Sequence, residues 1–233
     1  MRQSPDHACE ATTLGAVKRV LVFCGSSPGS RPEYVAHASE LGRTLASRKL
    51  EVVYGGASVG LMGALADGAL AAGGAVIGVI PTRLVEHEIA HAGVTKLHVV
   101  ETMHERKSLM AELSDAVIAL PGGSGTLDEL FELFTWKQLG LHRKPIGLLD
   151  VAGYWRPLLA FLEHAVNERF LREEYLESLL VAGSPEALLD RLAADQHRSY
   201  DKWIDRPAAD QVRAADQVVP NTRSPASPRP GRM

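Results

Sequence analysis

The chain has 233 residues, 45% of them hydrophobic, which is enough for one large domain or two small ones. Its net charge of −3 gives no electrostatic footprint for nucleic acid or an anionic membrane, and neither is expected as a partner. The longest apolar run, 68–80, is too short to span a bilayer. Residues 1–16 lack the features of a secretory signal, and Cys9 and Cys24 suggest neither a disulfide framework nor a zinc site, so we expect a cytoplasmic protein.

Short β-rich apolar runs alternate with longer amphipathic segments along most of the chain. Several runs are nearly continuous Val, Ile and Leu, which is typical of strands buried on both faces of a parallel sheet. The predicted strands are Val20–Cys24, Glu51–Tyr54, Val76–Ile80, Leu97–Glu101, Asp115–Leu120 and Pro145–Leu149, with a weaker seventh at Leu179–Val181. The predicted helices lie near 32–48, 60–72, 103–113, 127–139, 155–168 and 185–193. This alternation predicts an α/β fold, a doubly wound, Rossmann-like parallel sheet of about seven strands.

The predicted domain covers residues 17–194, and both ends of the chain differ from it in composition. The segment 195–233 contains five prolines and no sustained apolar period, so we expect a disordered, proline-rich tail. Residues 1–16 are expected to form a disordered leader.

The turns after the strands are where a site is expected, because ligands of such sheets bind outside the carboxyl ends of the strands. After the first strand, Cys24–Gly29 offers Ser26 as a contact for a phosphate, and a plain small-residue turn is the alternative. After the second strand, Gly60 and Gly63 lie inside the start of a helix, where glycine is costly. Close backbone packing and a ligand surface explain these glycines equally well.

The turn after the fourth strand places Arg106 at the start of a helix, one turn before an apolar stripe. The helix dipole disfavours a cation there, so a nearby anion would explain the residue. A solvated surface arginine is the alternative. The histidines, including His87, His91, His98 and His104, do not have the spacing of metal ligands, and no metal site is predicted.

The fifth strand is followed by the glycine-rich turn Pro121–Glu129, which runs into a helix. Such a turn presents free backbone N–H groups to an anion, although this one lacks the lysine of a P-loop. Thr126 and Glu129 also have the spacing of a capping box, in which both side chains satisfy N–H groups of the helix start. From the sequence, a capping role and a catalytic role for Glu129 are equally plausible.

Together, these four turns resemble the LONELY GUY family, the cytokinin riboside 5′-monophosphate phosphoribohydrolases, from about Val20 to Leu192. The family motif P-G-G-x-G-T-x-x-E matches Pro121–Glu129, and M-x-x-R-K matches Met103–Lys107. The stretch F-C-G-S-S matches Phe23–Ser27, and Y-G-G-G-S-x-G-L-M-G matches Tyr54–Gly63, except that Ala57 replaces a glycine. This replacement matters only if the backbone at Ala57 needs a positive φ.

The resemblance implies catalytic roles for Arg106 and Glu129. It implies substrate contacts from Glu88, Arg106, Lys107, Gly123, Ser124, Gly125, Thr126, Leu127, Asp128, Glu129 and Thr135. The substrate's 5′-phosphate is expected on Gly122–Thr126, aided by Ser26. No cofactor is implied: relatives are often labelled lysine decarboxylases, but no residue here is marked as a pyridoxal-binding lysine. Family members look like homodimers, and the apolar surface of the helix Leu127–Leu139 favours one here.

The expected reaction is hydrolysis of the N-glycosidic bond of N6-modified adenosine 5′-monophosphates, releasing a free cytokinin base and ribose 5-phosphate. Glu129 would stabilise positive charge on the ribose or activate the attacking water. Arg106, which stays protonated, would orient the substrate and stabilise charge. Two alternatives remain open at this point: a nucleosidase acting on AMP or another purine nucleotide, and a non-catalytic molybdenum-cofactor carrier of the same fold.

Overall fold

Seven parallel strands form a single sheet in the computed structural model, which describes residues 17–86 and 89–195. Along the sheet the order is β4-β3-β2-β1-β5-β6-β7. The strands are β1 (Arg19–Phe23), β2 (Glu51–Tyr54), β3 (Val76–Pro81), β4 (Lys96–Val100), β5 (Ala116–Ala119), β6 (Ile146–Leu149) and β7 (Leu179–Ala182). Each predicted strand, including the weak seventh, is confirmed to within one residue at either end.

Two layers of helices cover the sheet, and this explains the continuous apolar runs of its strands. The helices are α1 (Pro32–Ser47), α2 (Gly60–Ala71), α3 (Thr82–Glu86), α4 (Met103–Glu112), α5 (Ser124–Gln138), α6 (Arg156–Asn167), α7 (Glu173–Glu177) and α8 (Pro185–Ala194). Val20 and Val22 of β1 pack on α1, α2 and α8, whereas Leu21 and Phe23 face α4, α5, α6 and α7. Successive side chains of a strand point to opposite faces, so both faces must be apolar. The predicted doubly wound α/β fold is confirmed.

Three details of the helices differ from the sequence prediction. Helix α5 begins at Ser124, three residues before the predicted start, because glycine and serine enter the first turn without a positive φ. Helices α3 and α7 were not predicted, since each has only five residues and therefore shows little more than one helical period.

The predicted leader and tail, apart from Asp195, lie outside the described residues, and both remain predictions. Within 17–86 and 89–195, no helix is both long enough and apolar enough to cross a bilayer.

The direction of the sheet winding reverses between β1, the central strand, and its neighbour β5. The chain leaves β1 towards β2 on one side, whereas β5 leads through α5 to β6 on the other. The turns after β1 and β5 are held together, because the Gly25 N–H donates to the Pro121 carbonyl at 3.0 Å. In doubly wound sheets this reversal opens a crevice at the carboxyl ends of the strands.

Candidate active site

Arg106 lies beneath this crevice and is anchored to the ends of two neighbouring strands. Its side chain is buried, with the residue only 7% exposed. The guanidinium donates from Nε to the Val79 carbonyl at 3.0 Å and from Nη2 to the Gly55 carbonyl at 2.9 Å. These two carbonyls compensate part of the cost of burying the charge. The alternative interpretation, a solvated surface arginine, is therefore wrong.

Helix α4 carries Arg106 and starts with a well-formed cap. The Thr102 hydroxyl accepts a hydrogen bond from the Glu105 N–H at 3.1 Å, and the Glu105 carboxylate accepts from the Thr102 N–H at 3.2 Å. This capping box fixes where the helix begins, and it thereby fixes the direction in which Arg106 leaves it.

The turn after β2 is built around the arginine and the neighbouring backbone. A Cβ at Gly55 would lie 2.1 Å from the Arg106 Nη2, so only glycine leaves room for the guanidinium. At Gly60, where φ is +57°, a Cβ would lie 2.3 Å from the Ser26 backbone, and at Gly63 it would lie 2.2 Å from the Ser58 carbonyl. Of the two explanations for Gly60 and Gly63, close backbone packing is the correct one. Ala57 does not have a positive φ, so its replacement of the family glycine introduces no strain.

The glycine-rich turn after β5 is packed at Gly122, where a Cβ would lie 2.1 Å from the Thr126 Oγ1, but it is open where α5 starts. Gly123 is the N-cap of α5, and the first N–H that bonds within the helix is that of Leu127, which donates to the Gly123 carbonyl at 3.1 Å. The N–H groups of Ser124, Gly125 and Thr126 therefore have no acceptor within the helix. A Cβ at Gly123 or Gly125 would meet nothing within 4 Å. The start of α5 thus offers free N–H groups and the positive end of a helix dipole to an anion.

Glu129 lies in the second turn of α5 and faces Arg106. Because the helix begins at Ser124 with Gly123 as its cap, Glu129 cannot form the predicted capping box with Thr126. Its Oε1 lies 3.8 Å from the Arg106 Nη1, which is longer than a hydrogen bond. The Glu129 side chain is 13% exposed and the Arg106 side chain 8% exposed. The two groups therefore form a buried pair of opposite charge that is not joined by a hydrogen bond. The Glu129 Oε1 and the Arg106 Nη1 can each still bond to a substrate.

Burial shifts the protonation of this pair and of the neighbouring thiol. It raises the pKa of Glu129 to about 7, and the opposing effect of Arg106 only partly offsets the shift. Burial also lowers the pKa of Arg106, against the effects of Glu129 and Cys24. The pKa of the Cys24 thiol is raised by burial, so this residue is a neutral part of the wall and not a nucleophile.

A cleft of about 380 Å³ opens above the pair. One of its walls is apolar and consists of Val59, Met62, Leu84, Ile89 and Met103. The segment carrying Ile89 is fastened across the turn after β2, since the Ser58 N–H donates to the Ile89 carbonyl at 2.8 Å. The lining also includes the polar groups at the start of α5. Apolar lining combined with a few polar groups is the usual character of a small-molecule site.

Most of the predicted site residues meet in this cleft. Those that line it are Ser26, Arg106, Gly123, Ser124, Gly125, Thr126, Asp128 and Glu129. Gly122 lines an adjoining pocket. Glu88 lies outside the described residues, directly before Ile89.

Three predicted substrate contacts are placed outside the cleft. The Lys107 Nζ lies 3.2 Å from both Asp128 Oδ2 and Glu132 Oε1. Leu127 packs against the core, and Thr135 is exposed farther along α5. Contacts of Lys107, Leu127 and Thr135 with a substrate stay predictions.

Sequence reasoning missed the apolar wall of the cleft. Met62 and Met103 stand inside motifs that were recognised, but a methionine on a helix is usually a core residue. Leu84 comes from α3, a helix that left no periodic signal. Among the described residues, no three His, Cys, Asp or Glu side chains are grouped as they would be around a metal ion.

Comparisons with known proteins show which family the chain belongs to. The family model described as "Possible lysine decarboxylase" matches residues 62–192. The chain is 52% identical over 172 residues to the cytokinin riboside 5′-monophosphate phosphoribohydrolase of Rhodococcoides fascians, which covers 73% of this chain and 87% of that protein. An Arabidopsis thaliana protein of the same name is 48% identical over 175 residues, covering 75% of this chain and 82% of that protein.

Solved structures confirm the fold. The molybdenum cofactor binding protein of Rippkaea orientalis superposes with a TM-score of 0.60 at 24% identity, covering 77% of this chain and 98% of that chain. A molybdenum cofactor carrier protein of Chlamydomonas reinhardtii superposes with a TM-score of 0.58 at 24% identity, covering 76% of this chain and 98% of that chain. At such identities the likeness concerns the fold alone. About half of the residues, in contrast, are shared with the phosphoribohydrolases over most of both chains, and the protein belongs to the LONELY GUY family of cytokinin riboside 5′-monophosphate phosphoribohydrolases.

Proposed function

We propose that the protein hydrolyses the N-glycosidic bond of N6-modified adenosine 5′-monophosphates, the reaction for which its relatives at about 50% identity are named. The single observation that supports this most directly is the buried Arg106–Glu129 pair beside an open helix start. The start of α5 suits a phosphate, and Arg106 and Glu129 supply a guanidinium and a carboxylate. The apolar wall suits a base.

In the proposed binding mode, the 5′-phosphate lies on the free N–H groups of Ser124, Gly125 and Thr126, aided by Ser26. The ribose then lies over Glu129 and Arg106. The adenine and its N6 substituent face the apolar wall formed by Met62, Ile89 and their neighbours. This orientation places C1′, where the bond breaks, closest to the buried pair.

The chemistry follows from the charges that develop as the bond breaks. The electron pair of the C1′–N9 bond leaves with the base, and positive charge builds on the ribose. The Glu129 carboxylate stabilises that charge and accepts a proton from the water that attacks C1′. Arg106 keeps its proton and orients the sugar. The base also gains a proton on release, so the products are the free base and ribose 5-phosphate.

The name of the matching family model suggests a different reaction, which the cleft does not favour. A pyridoxal-dependent decarboxylase needs a lysine that can form a Schiff base with its cofactor. None of the described residues that line the cleft is a lysine. Lys107, the nearest lysine in the motifs, is engaged by Asp128 and Glu132.

We further propose that the protein acts in the cytoplasm as a homodimer, with the outer face of α5 at the interface. Phe131 and Trp136 on this helix are only partly buried, and Leu139 follows them. Thr135 is exposed on the same helix, so its predicted contact would reach a substrate held by the second subunit.

The decisive experiment compares substrates with and without the phosphate. We expect kcat/KM for N6-isopentenyladenosine 5′-monophosphate to exceed that for the nucleoside by about 10²-fold or more, because two or three charge-assisted hydrogen bonds are lost with the phosphate. Release of free base is measured by chromatography. AMP, assayed in parallel, shows whether the N6 substituent contributes to recognition.

Each alternative gives a different result. A simple nucleosidase would process the nucleoside and its monophosphate at similar rates. A molybdenum-cofactor carrier would release base from neither compound. A nucleosidase for AMP would prefer AMP to its isopentenyl derivative.

A further inference from the structure

A second pocket, of about 320 Å³, adjoins the cleft at the start of α5. The two cavities share Gly25, Ser26 and Gly123. Gly123 caps α5, and the free N–H groups assigned to the phosphate belong to the three residues that follow this shared glycine. A group that extends from the phosphate away from the ribose would therefore enter the second pocket.

Two tyrosines form the outer wall of this pocket. The rings of Tyr34 and Tyr154 meet edge to face, with centroids 5.9 Å apart and planes 80° apart. Tyr154 also packs edge to face on the buried ring of Trp155, with centroids 5.1 Å apart. These contacts brace the wall before any ligand arrives.

The backbone around the tyrosines is shaped to hold them in place. Tyr154 follows Ala152 and Gly153, both of which have a positive φ, and its hydroxyl donates to the Gly122 carbonyl. At Gly29, where φ is +76°, a Cβ would lie 2.6 Å from the Tyr34 ring. The glycine thus lets Tyr34 pack against the turn. Ala152 is the strained position among these three, and backbone strain of this kind occurs most often at active sites and ligand sites.

The chemistry of the pocket indicates what it can take. Its side chains are tyrosine, serine, leucine and proline, and none of the described residues that line it is charged. A second phosphate or another ion would find no counter-ion there. A flat, uncharged ring would find aromatic and apolar surface of the kind on which nucleobases stack.

We propose that this second pocket binds the second nucleoside of a dinucleotide whose first half occupies the cleft, joined through the phosphate at the start of α5. The proposal rests on the phosphate position given under the proposed function, and it widens the range of ligands beyond nucleoside monophosphates. The second base stacks on Tyr34 and Tyr154. Serine and glycine between the cavities leave space for the bridging phosphates.

The test compares two probes that carry the same diphosphate and the same charge, diadenosine diphosphate and ADP-ribose. Only the first has a base on its second ribose. Isothermal titration calorimetry should give a dissociation constant about tenfold lower for diadenosine diphosphate, as expected for one base stacked on an aromatic wall. Chromatography after the titration checks that both probes are intact.

Variants locate the effect. Tyr34→Leu keeps an apolar side chain but removes the ring, so the affinity ratio should fall to about one, whereas Tyr34→Phe should keep it. Phe161→Leu is the matched control, because Phe161 is an exposed ring of α6 that lines neither cavity. Circular dichroism establishes that each variant is folded. If Tyr34→Leu does not fold, the affinity ratios of the two probes for the wild type, Tyr34→Phe and Phe161→Leu still decide whether the second base is bound.

Equal affinities for the two probes, no binding of either, or an unchanged ratio in folded Tyr34→Leu would each overturn the proposal. The same holds if Tyr34→Leu alters only the discrimination between AMP and its isopentenyl derivative, since the pocket would then hold the N6 substituent. Failure of the proposed function looks different. In that case no base is released from any monophosphate, whatever the calorimetry shows.

Discussion

The turns after β2 and β5 are both rich in glycine, yet Gly123 and Gly125 at the start of α5 serve a different purpose from the glycines after β2. In the turn after β2, a Cβ at Gly55, Gly60 or Gly63 would overlap protein atoms at 2.1 to 2.3 Å. In the turn after β5, a Cβ at Gly123 or Gly125 would meet nothing within 4 Å. The first set of glycines makes room for the protein itself, and the second leaves room for something the protein binds.

This contrast shows what a glycine-rich turn can and cannot indicate. Without a structure, both turns are equally good candidates for contact with a ligand. Their difference depends on which side chain comes from elsewhere to fill the space. At Gly55 the space is filled by the guanidinium of Arg106, a residue 51 positions later in the sequence. Within 17–86 and 89–195, no neighbour fills the space at the start of α5, where N–H groups suited to an anion are exposed instead.

The largest effect is expected from filling the packed turn. Gly55→Ala would force the Arg106 guanidinium away from the Gly55 and Val79 carbonyls, since its Cβ would lie 2.1 Å from Nη2. We expect base release to fall by about 10²-fold, the scale for losing a positioned charge-stabilising donor, and stability to fall by about 1–3 kcal/mol through overpacking. Steady-state kinetics and thermal denaturation measure the two effects.

Gly183→Ala is the control for the substitution itself, because a Cβ at Gly183 meets nothing within 4 Å and the residue lines neither cavity. It should leave activity unchanged. Full activity in Gly55→Ala would mean that the position of the guanidinium is not important for the reaction.

The fold was predictable because burial acts on whole strands. Runs such as 116–119 are apolar at every position, since α-helices cover both faces of the sheet, and this pattern is local in the sequence. The five-residue helix α3 is too short to show a period, although its Leu84 becomes part of the cleft.

The residues of the candidate site were predictable as a set, but their environment was not. Motif spacing identified Arg106 and Glu129. It could not show that Arg106 is buried, because the two carbonyls that accept its hydrogen bonds belong to strands remote in sequence and carry no side-chain signature. The spacing of Thr126 and Glu129 also suggested a capping box, whereas the structure has its capping box at Thr102 and Glu105.

An intermediate effect is expected from the pH, which tests whether Glu129, the buried carboxylate that faces Arg106, is the group that acts. With a pKa of about 7, Glu129 loses its charge as the pH falls through neutrality. We expect kcat/KM to be level above pH 7 and to fall about tenfold per pH unit below it. Glu129→Gln should lower kcat/KM by about 10²-fold and remove this dependence, whereas Asp128→Asn should keep it.

Stability gives an independent check on the same residue. The folded protein holds the Glu129 proton more tightly than the unfolded chain, in which the pKa has its ordinary value of 4.5. Binding of this proton therefore stabilises the folded state, and that stabilisation is lost as the pH rises from 4.5 to 7. Glu129→Gln should therefore exceed the wild type in free energy of unfolding by about 1–3 kcal/mol at pH 8, and by less at pH 5. Equal differences at both values would place the pKa of Glu129 in its ordinary range.

The smallest effect is expected from adding a methyl group to the open turn, and its sign distinguishes the two kinds of glycine. Gly125 lies in the first turn of α5 without a positive φ, so alanine fits its backbone and raises helix propensity by up to about 1 kcal/mol. Because Cβ atoms on a helix tilt towards its N-terminus, the new methyl group points at the proposed phosphate position. Gly125→Ala should thus raise the melting temperature slightly while raising KM for the monophosphate several-fold.

KM for the nucleoside, which has no phosphate, is the internal control and should not change. A lower melting temperature would show that the turn is packed after all, and an equal rise of KM for both compounds would move the phosphate away from the start of α5.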